Sequence, residues 1–251
     1  MLGTAQNSII VIISVACSLS FMAGINYYWP APARRIHNDL IGWQLSVLGT
    51  TYAVIIGFML YTVWTNYGTA ELNADAEANS LINLYRLADG LPPQQSARIK
   101  QLTRAYADAV INREWGEMAN NVAPILTRDI TKDMWPALTN LDNPTPSQVS
   151  ADDHALDELS ALAKYRWVRM VENATRLPGV LWFVLMIGAA VTIASTCMFG
   201  ASNGPLHVIQ VTAFSLLVTL VLVAVADINR PYQGSVHVSD LAFRQARSDM
   251  Q

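Results

Sequence analysis

Four stretches of this sequence lack Lys, Arg, Asp and Glu altogether: residues 8–28, 41–64, 177–199 and 205–226. Each is long enough to cross a bilayer, whose core of roughly 30 Å takes about 20 mostly apolar residues in a helix. With 14% charged residues in all, nearly every charge is left to residues 65–176 and to the chain after 226. That separation marks an integral membrane protein.

Other absences narrow the function. Lys and Arg are spread rather than clustered, and the middle segment is mildly acidic, so nucleic acid is not an expected partner. No polybasic patch for anionic lipid is visible. No alternating apolar–polar run suggests a strand. There are 2 cysteines, Cys17 in mid-span and Cys197 near a span end, so a difference in depth argues against a disulfide. No glycine-rich phosphate loop or Gly-x-Ser-x-Gly elbow occurs. Glu77 and Glu114 lie on helices without a base or nucleophile nearby, and no enzyme is expected. His37-Asn38-Asp39 with His207 lacks metal-site spacing and reads as a hydrogen-bonded helix entry, so neither a metal nor a cofactor is expected. The sequon at Asn173 adjoins a span on the side read below as cytoplasmic and is discounted.

Positive charge orients the chain. Lys164, Arg166, Arg169, Arg176, Arg230 and Arg244 lie near span ends on the side shared by both termini, against Arg34 and Arg35 in a Pro-rich loop on the other. The positive-inside rule puts the termini and the middle segment in the cytoplasm, and the four spans in the inner (plasma) membrane as a multi-pass protein. The expected fold is all-α: a first helix pair (1–64), a helical cytoplasmic domain (65–176), a second pair (177–226) and a cytoplasmic tail (227–251). Within the domain, helices are expected over 71–88, 96–118 and 127–141, the last interrupted at Pro136, then a loop at 142–147. A further helix capped by Asp152 or Asp153 should run to Arg176.

The second span has two distinct faces. Gly42, Ser46, Gly49, Ala53 and Gly57 fall within about 80° of one another on a helical wheel, a small-residue stripe that lets helices pack closely in lipid. The opposite face carries Gln44, Thr51, Ile55, Phe58 and Thr62. Polar groups above and below an apolar band suit a gated pore, in which the band dewets to close. The same face also fits hydroxyls bonded to their own helix and an Ile–Phe pair packed on a neighbour. After the fourth span, Asp227, Arg230, Pro231, Tyr232 and Gly234 form a membrane-edge turn that stops the helix.

Taken together, these features resemble the bestrophin-like family of bacterial and plant membrane proteins. The resemblance covers nearly the whole chain: His37-Asn38-Asp39, Gly57-Phe58 with Trp64 and Tyr67, Glu77-Ala78-Asn79, Leu84-Tyr85-Arg86, Leu91-Pro92, Glu114-Trp115, Leu177-Pro178, Leu181-Trp182, Phe199-Gly200, the 227–234 stretch and Val238-Ser239. True bestrophins are pentameric ion channels with four spans per subunit and a pore lined by the second span. The resemblance therefore implies a homo-oligomer, with the pentamer as its model, conducting small inorganic ions across the lipid bilayer. Two departures matter. No run of acidic residues forms a calcium clasp, so calcium gating is not implied, and Trp64-Thr65-Asn66-Tyr67 only partly replaces the aromatic-Arg-Trp-Trp signature after the pore helix. The other reading is a non-conducting scaffold or sensor whose cytoplasmic helices bind partners.

Overall fold

The computed structural model describes residues 4–140 and 144–250. Every regular element among them is helical. Thr4–Tyr28 (α1) is followed by Ala31–Arg34 (α2) and a 3-10 turn at Arg35–His37, then by Asn38–Leu87 (α3). Pro93–Ala109 (α4), a π-helical turn at Val110–Glu114 and Trp115–Ala119 (α5) run on from one another. Leu126–Thr139 (α6), Pro146–Ala174 (α7), Gly179–Cys197 (α8), Gly204–Ile228 (α9) and Leu241–Asp249 (α10) complete the chain. α1, α3, α8 and α9 are the four helices long and apolar enough to cross a membrane.

Local chemistry accounts for the boundaries. α3 has no internal proline and stays helical for 50 residues, stopping at the 3-10 turn Ala88–Gly90. Gly90 is required there, because a Cβ would lie 2.7 Å from that of Ala151. α4 opens with Pro93 in its first turn, where a missing N–H costs nothing. α7 differs from expectation. Its cap is Thr145, which accepts from the Gln148 N–H while the Gln148 side chain accepts from the Thr145 N–H. Asp152 lies inside the helix, and the helix ends at Ala174 rather than at Arg176. Pro136 does not interrupt α6. Pro178 is the N-cap of α8. The loop expected at 142–147 and the helix end expected at 141 lie partly outside the described residues.

The chain divides into two compact units. One holds the described residues up to Thr65 with Arg176–Asn229, and the other holds Asn66–Thr175 with the described residues from Arg230 on. In the membrane unit, Tyr52, Ile56 and Val63 of α3 pack with Leu185 and Ala189 of α8 and Val218 and Val225 of α9. α1 packs beside α8 and α9, with Met22 against Cys197 and Val211. The close approach of α3 to α8 uses Gly188, where a Cβ would sit 2.5 Å from the Tyr52 ring. The Tyr52 hydroxyl donates to the Leu185 carbonyl at 3.2 Å.

The second unit has a single apolar core. Leu81 and Leu84 (α3), Ile99 and Tyr106 (α4), Met118 (α5), Met134 and Leu138 (α6), Leu159 and Leu162 (α7) and Phe243 (α10) contribute to it.

Candidate functional site: the second span and the membrane-edge turn

α3 buries a narrow ridge. Ile41, Tyr52, Ile56, Val63 and, further on, Ala70, Ala74, Glu77 and Leu81 are buried and share one side of the helix. The two faces named from the sequence lie about 95° to either side of this ridge. On the first, Gln44, Thr51, Phe58 and Thr62 are exposed, Phe58 by 64%. Ile55 is the exception, half-buried against the Tyr52–Ile56 cluster. Thr62 donates to the Phe58 carbonyl at 2.8 Å. Among the described residues, neither Gln44 nor Thr51 has a side-chain hydrogen-bond partner.

On the second face, Ser46, Ala53 and Gly57 are exposed and Gly42 and Gly49 half-buried. Gly42 lies 3.5 Å, as an added Cβ, from Phe199, whereas nothing comes within 4 Å of Gly49 or Gly57. Ser46 donates to the Gly42 carbonyl at 2.9 Å. Between the two faces stand Trp43, Val54 and Tyr61, all exposed. Most of the circumference of α3 in the membrane unit is therefore left uncovered by its own chain.

The fourth span is different. Thr219 and Ser14 hydroxyls meet at 2.7 Å, Ser215 donates to the Thr212 carbonyl at 3.2 Å, and Ser215 and Thr219 are buried. Its hydroxyls face α1 and its own backbone.

The entry to α3 explains two sequence motifs at once. The Asn38 side chain donates to the Gly200 carbonyl at 3.2 Å and accepts from the Gly200 N–H at 2.9 Å. A Cβ on Gly200 would lie 2.6 Å from the Arg35 nitrogen, so only glycine allows this approach. His37 lies beside Trp29 with centroids 5.8 Å apart, and His207 pairs with the Thr196 carbonyl at 3.2 Å. The residues expected as a loop around Arg34 and Arg35 are instead helical turns. Arg34 has no exposed surface. Its guanidinium donates to the Cys197 carbonyl at 3.0 Å and to the Asn26 side chain, so proline-initiated turns aim it inward rather than at solvent. The Cys197 thiol lies 3.7 Å from the Ser18 carbonyl, next in sequence to Cys17, so depth does not separate the cysteines; both are free.

At the end of α9, Asp227 is buried, and Asn229 accepts from the Leu177 N–H at 3.1 Å. The turn that follows belongs to the second unit. Arg230 is exposed, while Pro231, Tyr232 and Gln233 are buried. Gly234 has φ 88°, which a side chain would strain. The Val238 N–H donates to the Pro231 carbonyl at 2.7 Å and closes the turn. Tyr232 stands edge-on to Trp115, centroids 5.6 Å apart, and its hydroxyl lies 3.3 Å from the Ala70 carbonyl and 3.2 Å from Glu172. The Trp115 indole donates to the Val238 carbonyl at 3.0 Å, Tyr67 to that of His237 at 3.3 Å, and Gln233 to that of Met118 at 3.0 Å.

Glu77 and Glu114, which the sequence leaves without partners, meet on Arg169. Arg169 donates to Glu77 at 2.7 and 2.9 Å and to Glu114 at 3.1 Å, and all three residues are fully buried. Tyr106 donates to Glu77 at 2.5 Å, and the Thr127 backbone N–H to Glu114 at 2.8 Å. The Arg169 guanidinium lies over the rings of Trp115 and Phe243. Burial opposes its charge, but the two carboxylates outweigh that and raise its pKa. Burial, then Glu77, raises the Tyr106 hydroxyl well above its ordinary range. Glu114 closes the π-helical turn, and that extra residue per turn rotates the helix as it enters the network. Arg169 is thus a core residue rather than a free interfacial charge. A signal for it exists: Glu77 falls on the apolar ridge of α3, and Arg169 in the 155–159–162–169 stripe of α7.

The Bestrophin-like domain model matches residues 12–243. Among solved structures, two variants of a bacterial Bestrophin homolog from Klebsiella pneumoniae are similar. One aligns with TM-score 0.72 at 13% identity over 98% of this chain and 97% of that one. The other aligns with TM-score 0.73 at 11% identity over 98% and 99%. A structure described as a membrane protein aligns with TM-score 0.69 at 13% identity over 98% and 97%. At such identities the likeness speaks for the fold. No curated protein matches the chain. The family match runs from within the first membrane helix through the other three and the turn after them, and the chain belongs to the Bestrophin-like family.

Proposed function

We propose that the protein is an oligomeric ion channel whose pore is lined by α3. The observation that carries this reading is the uncovered face with Gln44 and Thr51. In lipid, an amide and a hydroxyl without partners are costly. A water-filled conduit supplies partners, and a ring of copies around an axis supplies the conduit. Phe58 forms the constriction on this face, with Ile55 behind it against the chain's own core. Family membership and the bestrophin fold support the same reading. The spans cross the inner membrane with both termini and the helical unit in the cytoplasm, as the charge bias implies. No enzymatic step enters this reading.

The test is ion flux in liposomes or planar bilayers, on preparations shown to be folded. Phe58→Ala should raise conductance by widening the apolar ring, with a smaller increment from Ile55→Ala. Thr51→Val should lower it by removing a group that hydrates the ion. If neither wild type nor the double Ala variant passes ions, the channel reading fails. The scaffold reading then takes its place, favoured by the Thr62 and Ser46 hydroxyls satisfied on their own helix.

Orientation has its own measurement. In a background lacking Cys17 and Cys197, a cysteine at Asn140 or Ser248 should react with an impermeant maleimide from the cytoplasmic side alone, and one at Ala33 from outside alone. The reverse pattern would put the helical unit outside the cell.

A further inference from the structure

Glu172 occupies a junction that conduction does not explain. Its carboxylate ties α3 to the segment after the fourth span: the Asn73 amide donates to one oxygen at 2.6 Å and the Tyr232 hydroxyl to the other at 3.2 Å. Asn73 lies on the helix that contains the second span, and Tyr232 follows α9 by four residues. We propose that Glu172 is a proton-responsive clasp, which holds the segment after the fourth span to α3 more firmly when the carboxyl is protonated.

The geometry satisfies both states. Ionised, each oxygen accepts one hydrogen bond. On taking a proton from solvent, one oxygen still accepts from Asn73. The other, now O–H, donates to the Tyr232 oxygen, and the Tyr232 proton turns to the Ala70 carbonyl at 3.3 Å. No hydrogen bond is lost, and a charge is removed from a half-buried site.

The surrounding groups favour the neutral form. Glu77 on α3 repels the charge. Arg169, one turn earlier on α7, is occupied by Glu77 and Glu114. From the tail the titratable group is Tyr232, whose hydroxyl is itself pushed up by burial and by Glu172. Burial raises the Glu172 pKa above its ordinary 4.5, and the Glu77 carboxylate adds to the rise, against the lowering effect of the two hydrogen bonds. A carboxyl raised in the folded state penalises the fold in proportion to its ionisation. The penalty is absent below the unfolded pKa, grows as pH rises through the window between the unfolded and folded values, and is complete above the folded value. Acidification through that window therefore tightens the clasp. The inference stands whether or not the chain conducts ions.

The experiment is hydrogen exchange of the 230–238 segment in the full-length protein in nanodiscs, at about pH 5.5 and about pH 8, corrected for intrinsic rates. Wild type should exchange several-fold more slowly at the lower pH, the direction that linkage to a raised carboxyl requires. Glu172→Gln, which mimics the protonated shape, should be slow at both values. Tyr232→Phe removes a donor to the ionised form, so the midpoint should move to higher pH. If wild type shows no pH dependence, or Glu172→Gln retains it, the clasp is refuted. Should Glu172→Gln fail to fold, infrared titration of wild type decides. A protonated-carboxyl band that persists above the ordinary glutamate range, and that Tyr232→Phe shifts, supports the clasp. A band that titrates at the ordinary value and ignores that substitution overturns it.

Discussion

Each unit of this protein hides one arginine completely, and the two do so by opposite means. Arg34, in the membrane unit, meets a backbone carbonyl and a neutral amide and touches no carboxylate. Arg169, in the other unit, meets two carboxylates between two aromatic rings. The membrane unit satisfies its polar groups mostly from backbone, as Thr192, Ser195 and Thr196 also do by bonding the preceding turn. The other unit uses charge against charge. Neutral partners limit the cost of an inserted cation, whereas a buried ion network is stable only while every member is present.

The largest expected effect follows from that difference. Arg169→Ala or Glu77→Ala leaves a buried charge stranded and should cost about 3–5 kcal/mol in chemical denaturation of the helical unit. Replacing Glu77, Glu114 and Arg169 together by Leu, Leu and Met should cost far less than either single change. If the single and triple variants are equally unstable, shape and not charge governs this core.

Arg34→Ala should cost less, about 1–3 kcal/mol, because it strands two neutral acceptors rather than an ion. The loss should appear as a lower thermal midpoint in detergent. A cost matching that of Arg169→Ala would mean that Arg34 serves a charge as well as a carbonyl, and the contrast between the units would collapse.

The sequence was legible where one physical rule dominates. Charge-free runs give the four spans, and the lack of proline gives the unbroken α3. Pro178 and the 200–204 turn mark the ends of α8 and α9. It was less legible where partners lie far apart in the chain. Arg34 looked like a loop charge because its neutral partners, Asn26 and Cys197, carry no signature. Glu77 and Glu114 looked solitary because their common partner is 92 and 55 residues away. Asp152 looked like a cap because the Thr-Pro-Ser-Gln box that opens seven residues earlier, at Thr145, and caps the helix there was read as loop. On α3, periodicity separates two faces as angles but does not say which neighbour each one meets.

That last question sets the smallest effect on the fold and the sharpest test of assembly. Gly49 and Gly57 have nothing within 4 Å of an added Cβ in their own chain. A Cβ at either position therefore meets no clash within the subunit, and removing a helical glycine favours the helix by about 0.5–1 kcal/mol. The single subunit should be as stable as wild type or slightly more so. Any loss must come from another chain packed on the stripe, where small residues allow close helix approach. Gly49→Leu and Gly57→Leu should accordingly keep the monomer folded and shift the protein from oligomer to monomer in size-exclusion chromatography with light scattering. Variants that assemble like wild type would show that this face meets lipid or water. The stripe would then stop marking the subunit boundary, and the face with Gln44, Thr51 and Phe58, assigned to the pore as its counterpart across the buried ridge, would lose that support.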